Sequence, residues 1–204
     1  MSEFNPYRLA AKVCRQPVWH FKPEGRSLFL TFDDGPTPGV TPWILDVLRS
    51  YDARAIFFCL GSQVQQHPEL YAAILNEGHA VGNHTHNHLD GWRTPVRRYL
   101  KDVDRASQWI DSGLLRPPYG RLGPLQMRHL AKNYRIVMWD VMSRDYDERL
   151  SPESILVRLK CRVRPGSIVV FHDSTQAEKN LHSILPNFLD YCQNEGYKLN
   201  SIEF

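Results

Sequence analysis

Residues 27–36, SLFLTFDDGP, contain the strongest sequence signal for the fold. The apolar residues of this stretch predict a buried strand, and Asp33 and Asp34 end that strand at a Gly-Pro turn. Thr41-Pro42 then opens a helix, because apolar residues recur at intervals of three and four over residues 40–48. A strand followed at once by an amphipathic helix is the repeating unit of an α/β fold.

The same alternation continues along the chain. Strands are predicted at residues 55–60, 80–83, 114–115, 136–139 and 168–171, with helical stretches between them and a last strand at the C-terminus. Six or seven such units in 204 residues predict one α/β domain with a mostly parallel sheet. Periodicity alone leaves open whether this sheet is doubly wound or closed into a barrel. Residues 1–25 are predicted to form an irregular arm before that domain.

Composition excludes several classes of protein. A hydrophobic content of 42% and a charged content of 23% are those of a globular chain, not of a disordered, collagen-like or coiled-coil one. The apolar runs are far shorter than the roughly 18 residues of a transmembrane helix. A scattered net charge of +3 gives no sign of a nucleic-acid groove. We therefore expect neither a membrane span nor a nucleic-acid partner, while the oligomeric state stays open.

The cysteines and the N-terminus bear on the compartment. Cys14, Cys59, Cys161 and Cys192 lie far apart with no CxxC or zinc-finger spacing, which predicts four free thiols without a catalytic role. Residues 1–19 contain no apolar segment of a secretory signal, which favours a cytoplasmic location. A chain trimmed of its leader would look the same, so an extracytoplasmic location stays an alternative.

Polar residues gather where the predicted strands end. Because the carboxyl ends of parallel strands share one edge, where α/β barrels and sheets place their active sites, we expect these residues to lie close together. They are Asp33 and Asp34 after the first strand, His84 after the third, Arg116 after the fourth, Asp140 after the fifth and His172 after the sixth.

Two of these motifs suggest a metal site and a base. Neighbouring residues that leave a strand point in different directions, so one of Asp33 and Asp34 can bind an ion while the other faces a substrate water. In NHTHNH, residues 83–88, His84 and His88 lie on one face of a helical turn, and His86 is expected at the surface or behind the ligands. Each motif alone is also compatible with an ordinary turn or polar loop.

The combination is more specific than its parts. Residues 116–119, RPPY, place a cation on a proline-stiffened turn whose amides could face an oxyanion, and His172 could act as a general acid. Two carboxylates, two imidazoles for an ion and a further histidine form the set that hydrolysis of an acyl bond requires.

These motifs resemble those of the polysaccharide deacetylase family, also called the NodB-homology domain or carbohydrate esterase family 4. Residues 31–34 match its TFDD motif, residues 84–88 its H-[ST]-x-x-H motif, and residues 116–119 its third motif. The resemblance covers residues 25–204 and implies a single-domain distorted (β/α)7 barrel, with residues 26–204 as the catalytic domain. It implies a metal-dependent hydrolase that removes acetyl groups from N-acetylated sugars of the chitin or peptidoglycan type.

The resemblance also implies roles for single residues. Asp34, His84 and His88 correspond to the ligands of one divalent ion, for which zinc is favoured and cobalt, nickel and manganese are alternatives. The remaining assignments are Asp33 as general base paired with Arg116, His172 as general acid oriented by Asp145, and Tyr119 as the donor of a backbone N–H to the oxyanion.

The fourth motif departs from the family pattern D-x-x-D-W. Met142 replaces its first acid and Tyr146 its tryptophan, whereas Asp145 is retained. We therefore keep two alternatives: a non-catalytic sugar-binding relative, and a deacetylase of a small amide or an O-acetyl ester.

Overall fold

The computed structural model describes residues 17–22 and 25–201, and this part of the chain forms eight strands and seven α-helices. The strands are β1 (Ser27–Asp33), β2 (Ala55–Cys59), β3 (Ala80–Asn83), β4 (Leu114–Leu115), β5 (Arg135–Ile136), β6 (Val141–Met142), β7 (Ile168–His172) and β8 (Lys198–Leu199). The helices are α1 (Val40–Ser50), α2 (Gly61–Gln66), α3 (Pro68–Asn76), α4 (Val96–Ala106), α5 (Pro124–Leu130), α6 (Pro152–Arg162) and α7 (Thr175–Asn194).

The eight strands form one parallel sheet. Their order is β5-β4-β3-β2-β1-β7-β6, and β8 pairs with the start of β1. Strand β1, which is the first strand predicted from the sequence, lies at the centre of the sheet between β2 and β7. This curled parallel sheet with its helices confirms the prediction of a single-domain α/β barrel of the distorted (β/α)7 type.

An aromatic stack anchors the centre of the sheet. The ring of Phe32 lies 5.0 Å from that of Phe57 on β2 and 5.7 Å from that of Phe171 on β7, and all three side chains are fully buried. Helices α1 and α7 cover this stack with apolar residues such as Ile44 and Phe188. Since Phe32 directly precedes Asp33, the packed core holds the end of β1 in a fixed place.

The part of the arm that the structure describes is not wholly irregular. Val18 forms a parallel bridge with Val137, just after β5, and His20 an antiparallel bridge with Ser167, just before β7. Residues 17–22 therefore connect the chain just after β5, which is one end of the sheet path, with the start of β7, which is the neighbour of β6 at the other end.

Asp140 lies at the opposite edge from the one predicted. Its Oδ1 accepts a hydrogen bond of 2.8 Å from the backbone N–H of Ile168, the first residue of β7, and its Oδ2 lies 2.9 Å from Nδ1 of His20. The predicted strand 136–139 ends at Ile136, and Asp140 precedes β6 instead of ending a strand. It is thus a structural residue at the amino edge of the sheet.

Three further observations bear on the sequence predictions: one helix, the cysteines and the absence of a membrane span in the described residues. Helix α2 is not predicted from the sequence, because GSQVQQ has no apolar residues repeated at helical spacing. Cys59 and Cys192 are buried, Cys161 is exposed and all three are free, while Cys14 lies outside the described residues. None of the helices within residues 17–22 and 25–201 is both long and apolar enough to cross a membrane.

Candidate active site

The two adjacent aspartates separate at the end of β1. Asp33 is the last residue of the strand, and Asp34 turns the chain with a φ of +87°. Asp173 fixes this turn, because its carboxylate accepts hydrogen bonds of 2.8 Å from the backbone N–H of Gly35 and from the hydroxyl of Thr41. A Cβ at Gly35 would overlap that carboxylate, so the close approach requires glycine.

Asp34, His84 and His88 form a compact donor cluster. Nε2 of His84 and Nε2 of His88 lie 3.5 and 3.2 Å from Oδ1 of Asp34, and the three donor atoms all lie within 4.8 Å of one another. Burial by itself would raise the pKa of Asp34, but the two facing imidazoles outweigh burial and the pKa falls well below its usual range. The cluster therefore presents an anionic oxygen and two imidazole nitrogens to one point.

The histidine loop is held from behind. Nδ1 of His84 lies 2.8 Å from the carbonyl oxygen of Arg116, to which a protonated Nδ1 donates, so Nε2 is left to face Asp34. Asp102 on α4 accepts hydrogen bonds of 2.9 Å from the backbone N–H groups of His86 and Asn87. His86 is buried at 2% exposure and does not belong to the donor cluster, so of its two expected places the surface is excluded and the place behind the ligands is left.

Asp33 is paired with a buried arginine. Nη1 of Arg116 donates to Oδ1 of Asp33 at 2.7 Å and to the hydroxyl of Thr31 at 2.6 Å. Its other nitrogens donate to the carbonyl oxygens of Val137 and Met138. Burial lowers the pKa of Arg116, and the charge of Asp33 opposes that change. The pair thus places a fixed carboxylate with a compensating cation at the end of β1.

His172, at the end of β7, is held by a second carboxylate. Its Nδ1 lies 2.7 Å from Oδ1 of Asp145, and its backbone N–H donates to Oδ2 of the same residue at 2.8 Å. Burial by itself would lower the pKa of His172, but the carboxylates of Asp145, Asp34 and Asp33 raise it to about 9. Near neutral pH the imidazole is therefore protonated.

The donor cluster, Asp33 and His172 line one pocket of about 670 Å³, whereas Arg116 and Asp145 are fully buried beside it. This volume lies within the roughly 300–1,000 Å³ of small-molecule sites. Tyr119, with a φ of +59° and 58% exposure, lies at its rim, and its ring meets that of His88 edge-on at 4.7 Å. The lining consists of Asp33, Asp34, His84, His88, Tyr119, Arg121, Trp139, Met142, Tyr146, His172, Ser174 and Gln176.

Met142 and Tyr146, which depart from the family pattern in the fourth motif, both line this pocket. The hydroxyl of Tyr146 donates to Sδ of Met142 at 3.7 Å, and the Tyr146 ring meets that of His172 edge-on at 5.0 Å. The thioether of Met142 and the phenol of Tyr146 thus form the pocket wall beside His172.

Several residues of the site were not singled out from the sequence. Asp102 had a detectable signal, since it is an acid on the buried face of α4 beside Tyr99 and Val103. The others lie next to motifs or strands that were singled out, and this proximity was the available signal: Arg121 follows residues 116–119, Asp173, Ser174 and Gln176 follow His172, and Trp139 ends a stretch predicted as a strand.

Comparison with known proteins agrees with this geometry. The sequence model of the polysaccharide deacetylase family matches residues 21–139. The peptidoglycan-N-acetylglucosamine deacetylase of Bacillus cereus is 31% identical over 193 residues, which cover 91% of this chain and 90% of that protein. The chitooligosaccharide deacetylase of Bradyrhizobium sp. is 38% identical over 156 residues, which cover 72% of this chain and 71% of that protein.

The fold agrees as well. A crystal structure of a peptidoglycan N-acetylglucosamine deacetylase in complex with 4-naphthalen-1-yl-N-oxidanyl-benzamide superposes with a TM-score of 0.85 at 25% identity, and the match covers 98% of this chain and 95% of that one. With its motifs, its fold and these relatives in agreement, the chain belongs to the polysaccharide deacetylase family.

Proposed function

We propose that the chain is a metal-dependent deacetylase that hydrolyses the acetyl amide of N-acetylated sugars, in oligomers or polymers of N-acetylglucosamine. One observation carries this proposal: the Asp34, His84, His88 cluster, the Asp33–Arg116 pair and the His172–Asp145 pair all meet at one pocket. The names of the relatives, which refer to peptidoglycan N-acetylglucosamine and to chitooligosaccharides, support the choice of sugar.

The donor cluster fits a divalent ion. Oδ1 of Asp34 is buried and accepts no hydrogen bond from the described residues, although two imidazole nitrogens face it. One carboxylate and two imidazoles suit zinc with positions left open, and cobalt, nickel and manganese are alternatives. When bound, such an ion supplies a Lewis acid for the acetyl carbonyl and makes water more acidic.

The residues around the cluster divide the proton transfers between them. Asp33, which accepts a hydrogen bond from Arg116, takes a proton from the attacking water, whose oxygen bonds to the carbonyl carbon. The backbone N–H of Tyr119 donates a hydrogen bond to the oxygen that becomes negative. Protonated His172 gives its proton to the sugar nitrogen as the carbon–nitrogen bond breaks, which releases acetate and a free amine.

Acetate release from a panel of substrates tests the proposal. We expect the chain with added zinc to release acetate from N-acetylchitooligosaccharides or peptidoglycan fragments at least about tenfold faster than from acetylxylan, an O-acetyl ester. Asp33→Asn serves as the matched control, because removal of a general base costs on the order of 10² to 10⁴ in rate. If the chain releases no acetate from any N-acetylated sugar, the proposal is wrong.

Metal content gives a test that does not depend on turnover. After equilibration with zinc and removal of the excess, elemental analysis should find one ion per chain. His88→Ala should lower the occupancy, since it removes one of three ligands, whereas His86→Ala should not, because His86 lies outside the cluster. Equal occupancy in His88→Ala and the parent chain would contradict this assignment.

The proposed acid also predicts a pH dependence. Because His172 must be protonated and its pKa is raised to about 9, kcat/KM should decline as the pH rises through the pKa of this residue. Asp145→Asn removes the carboxylate that contributes most to that rise, so the decline should move to lower pH, by about one unit or more. A bound cation lowers this pKa in both proteins, so the comparison between their pH profiles is the measurement. If kcat/KM declines over the same pH range in Asp145→Asn and in the parent chain, the role of His172 as acid or its coupling to Asp145 is contradicted.

A further inference from the structure

Positive charge is concentrated in one part of the chain. Residues 90–135 contain ten of the 25 Lys and Arg residues but only four of the 22 Asp and Glu residues. This segment therefore has a formal charge of +6 (10 − 4), and the rest of the chain, whose total is +3, has a charge of −3 (3 − 6). The small net charge of the whole chain thus hides an uneven distribution.

Helix α4 carries the densest part of this charge. The residues of its buried face are Tyr99, Asp102, Val103 and Ala106. On the opposite, exposed face, cations recur at intervals of four residues: Arg97, Lys101 and Arg105. Residues four apart are neighbours on the surface of a helix, so these side chains form one line along α4. We call Arg97, Lys101 and Arg105 the basic row.

The basic row has no counter-charge in the described part of the chain. None of its three side chains forms an ion pair within residues 17–22 and 25–201, whereas Arg93 and Arg121 both pair with Asp90. Asp102 turns to the buried side and binds backbone N–H groups, and the exposed Asp104 forms no ion pair with the row. Like charges four residues apart destabilise a helix, so the row does not serve the stability of α4.

The charged face extends beyond the row itself. Helix α5 packs beside α4. Three more cations are exposed on these two helices or directly after them: Arg98, Arg128 and Lys132. The basic face is therefore broader than a single line of side chains.

A tryptophan ends the basic row. The backbone N–H groups of Trp109 and Ile110 donate to the carbonyl oxygen of Ala106, so the helical turn continues past the end of α4. Trp109 follows Arg105 by four residues and is 39% exposed. Its amphipathic indole is of the kind that lies at the level of lipid headgroups, between water and hydrocarbon.

The direction of α4 places this face along the side of the barrel. The helix connects the end of β3, at the pocket, with the start of β4 at the amino edge, and its 11 residues span about 16 Å. No residue of the basic row lines the pocket, which opens at the carboxyl edge of the sheet. A partner that covers the row therefore leaves the pocket accessible.

The shape of the row indicates the kind of partner. Its cations lie in one line on the convex outer side of a helix, as contact with a flat surface requires. Proteins that bind single-stranded nucleic acid use a groove in which bases stack on aromatic side chains, and no aromatic residue separates the cations of this row. Clusters of Lys and Arg on an amphipathic helix attract anionic lipid headgroups.

From these observations we propose that the basic row and Trp109 bind the surface of a bilayer that contains anionic phospholipids. The barrel would then lie with α4 against the headgroups and its pocket open at the side. This inference goes beyond the proposed deacetylation and does not depend on it, because lipid binding is measured without turnover.

Cosedimentation with lipid vesicles tests the proposal. We expect the chain to bind vesicles of phosphatidylcholine mixed with phosphatidylglycerol and not vesicles of phosphatidylcholine alone. Each Lys or Arg near an anionic bilayer contributes about fivefold to binding, so the triple variant Arg97→Gln, Lys101→Gln, Arg105→Gln should bind roughly 100-fold more weakly. About 1 M salt, at which the screening length falls to roughly 3 Å, should release the parent chain. Trp109→Ala should also weaken binding.

A second triple variant, Lys160→Gln, Arg162→Gln, Lys179→Gln, is the matched control. It removes the same charge from exposed positions on α6 and α7, so it should bind the anionic vesicles nearly as tightly as the parent chain. Circular dichroism should show both variants folded, since Gln is a good helix former. Equal weakening in the two variants would mean that only net charge matters and would overturn the proposal. It is also wrong if the parent chain does not bind the anionic vesicles, or binds duplex DNA more tightly than these vesicles at the same salt concentration.

Discussion

Asp33→Asn should keep its metal and lose most of its activity. Asn has nearly the shape of Asp and can still accept the hydrogen bond of Arg116, so the donor cluster on the next residue is left intact. The amide cannot take a proton from water, and the loss of a general base costs on the order of 10² to 10⁴ in rate. Elemental analysis beside acetate release from an N-acetylated oligosaccharide measures both quantities on one sample.

Asp34→Ala is the contrasting variant. It removes the carboxylate that faces both imidazoles, so metal occupancy should fall and activity should fall with it. The two variants lie one residue apart on the same turn, and a general disturbance of that turn would affect them alike. Loss of metal in Asp33→Asn, or near-normal turnover in that variant, would refute the division of roles between these aspartates.

Arg116→Met should be strongly destabilising. Arg116 is fully buried, and its removal leaves the carboxylate of Asp33, itself only 4% exposed, without its cation. Breaking a buried ion pair costs about 3–5 kcal/mol. At roughly 2–4 °C per kcal/mol for a chain of this size, the melting temperature should fall by about 6–20 °C. Thermal denaturation followed by circular dichroism measures this change.

Two further variants identify the cause of that loss. Arg26→Met removes an ion pair to Glu195 in which both side chains are about half exposed, and such pairs contribute roughly 0–1 kcal/mol. The double variant Arg116→Met with Asp33→Asn removes the unpaired charge as well, so it should recover part of the stability. If Arg116→Met melts within about 2 °C of the parent chain, the buried pair does not have the structural role inferred from its contacts.

The fold could be predicted from sequence wherever a strand is buried and adjoins a periodic helix. Strand β1 and helix α1 are of this kind, and the prediction for both holds within a few residues. Of the predicted strand 136–139, only Ile136 lies in β5, because apolar residues that leave the sheet after a strand look like its continuation. Trp139 lines the pocket, and the next strand begins only at Val141.

The site could be predicted in part because parallel strands end at one edge. Asp33, His84, Arg116 and His172 meet there because β1, β3, β4 and β7 share that edge. Contacts between distant loops left no pattern in the sequence. The pairing of Asp145 with His172 spans 27 residues and came only from the family resemblance, and the packing of Gly91 on Arg121 had no signal at all.

Residues 17–22 have a consequence for the outer strand of the sheet. The path of the sheet runs from β5 to β6, and the outer strand of an open sheet is a ready template for pairing with another chain. Residues 17–22 take up part of this pairing capacity, since the backbone N–H of Val18 donates to Ile136 and the carbonyl oxygen of Val18 accepts from Met138. A short segment from outside the barrel thus leaves fewer backbone groups of this outer strand free to pair with another chain.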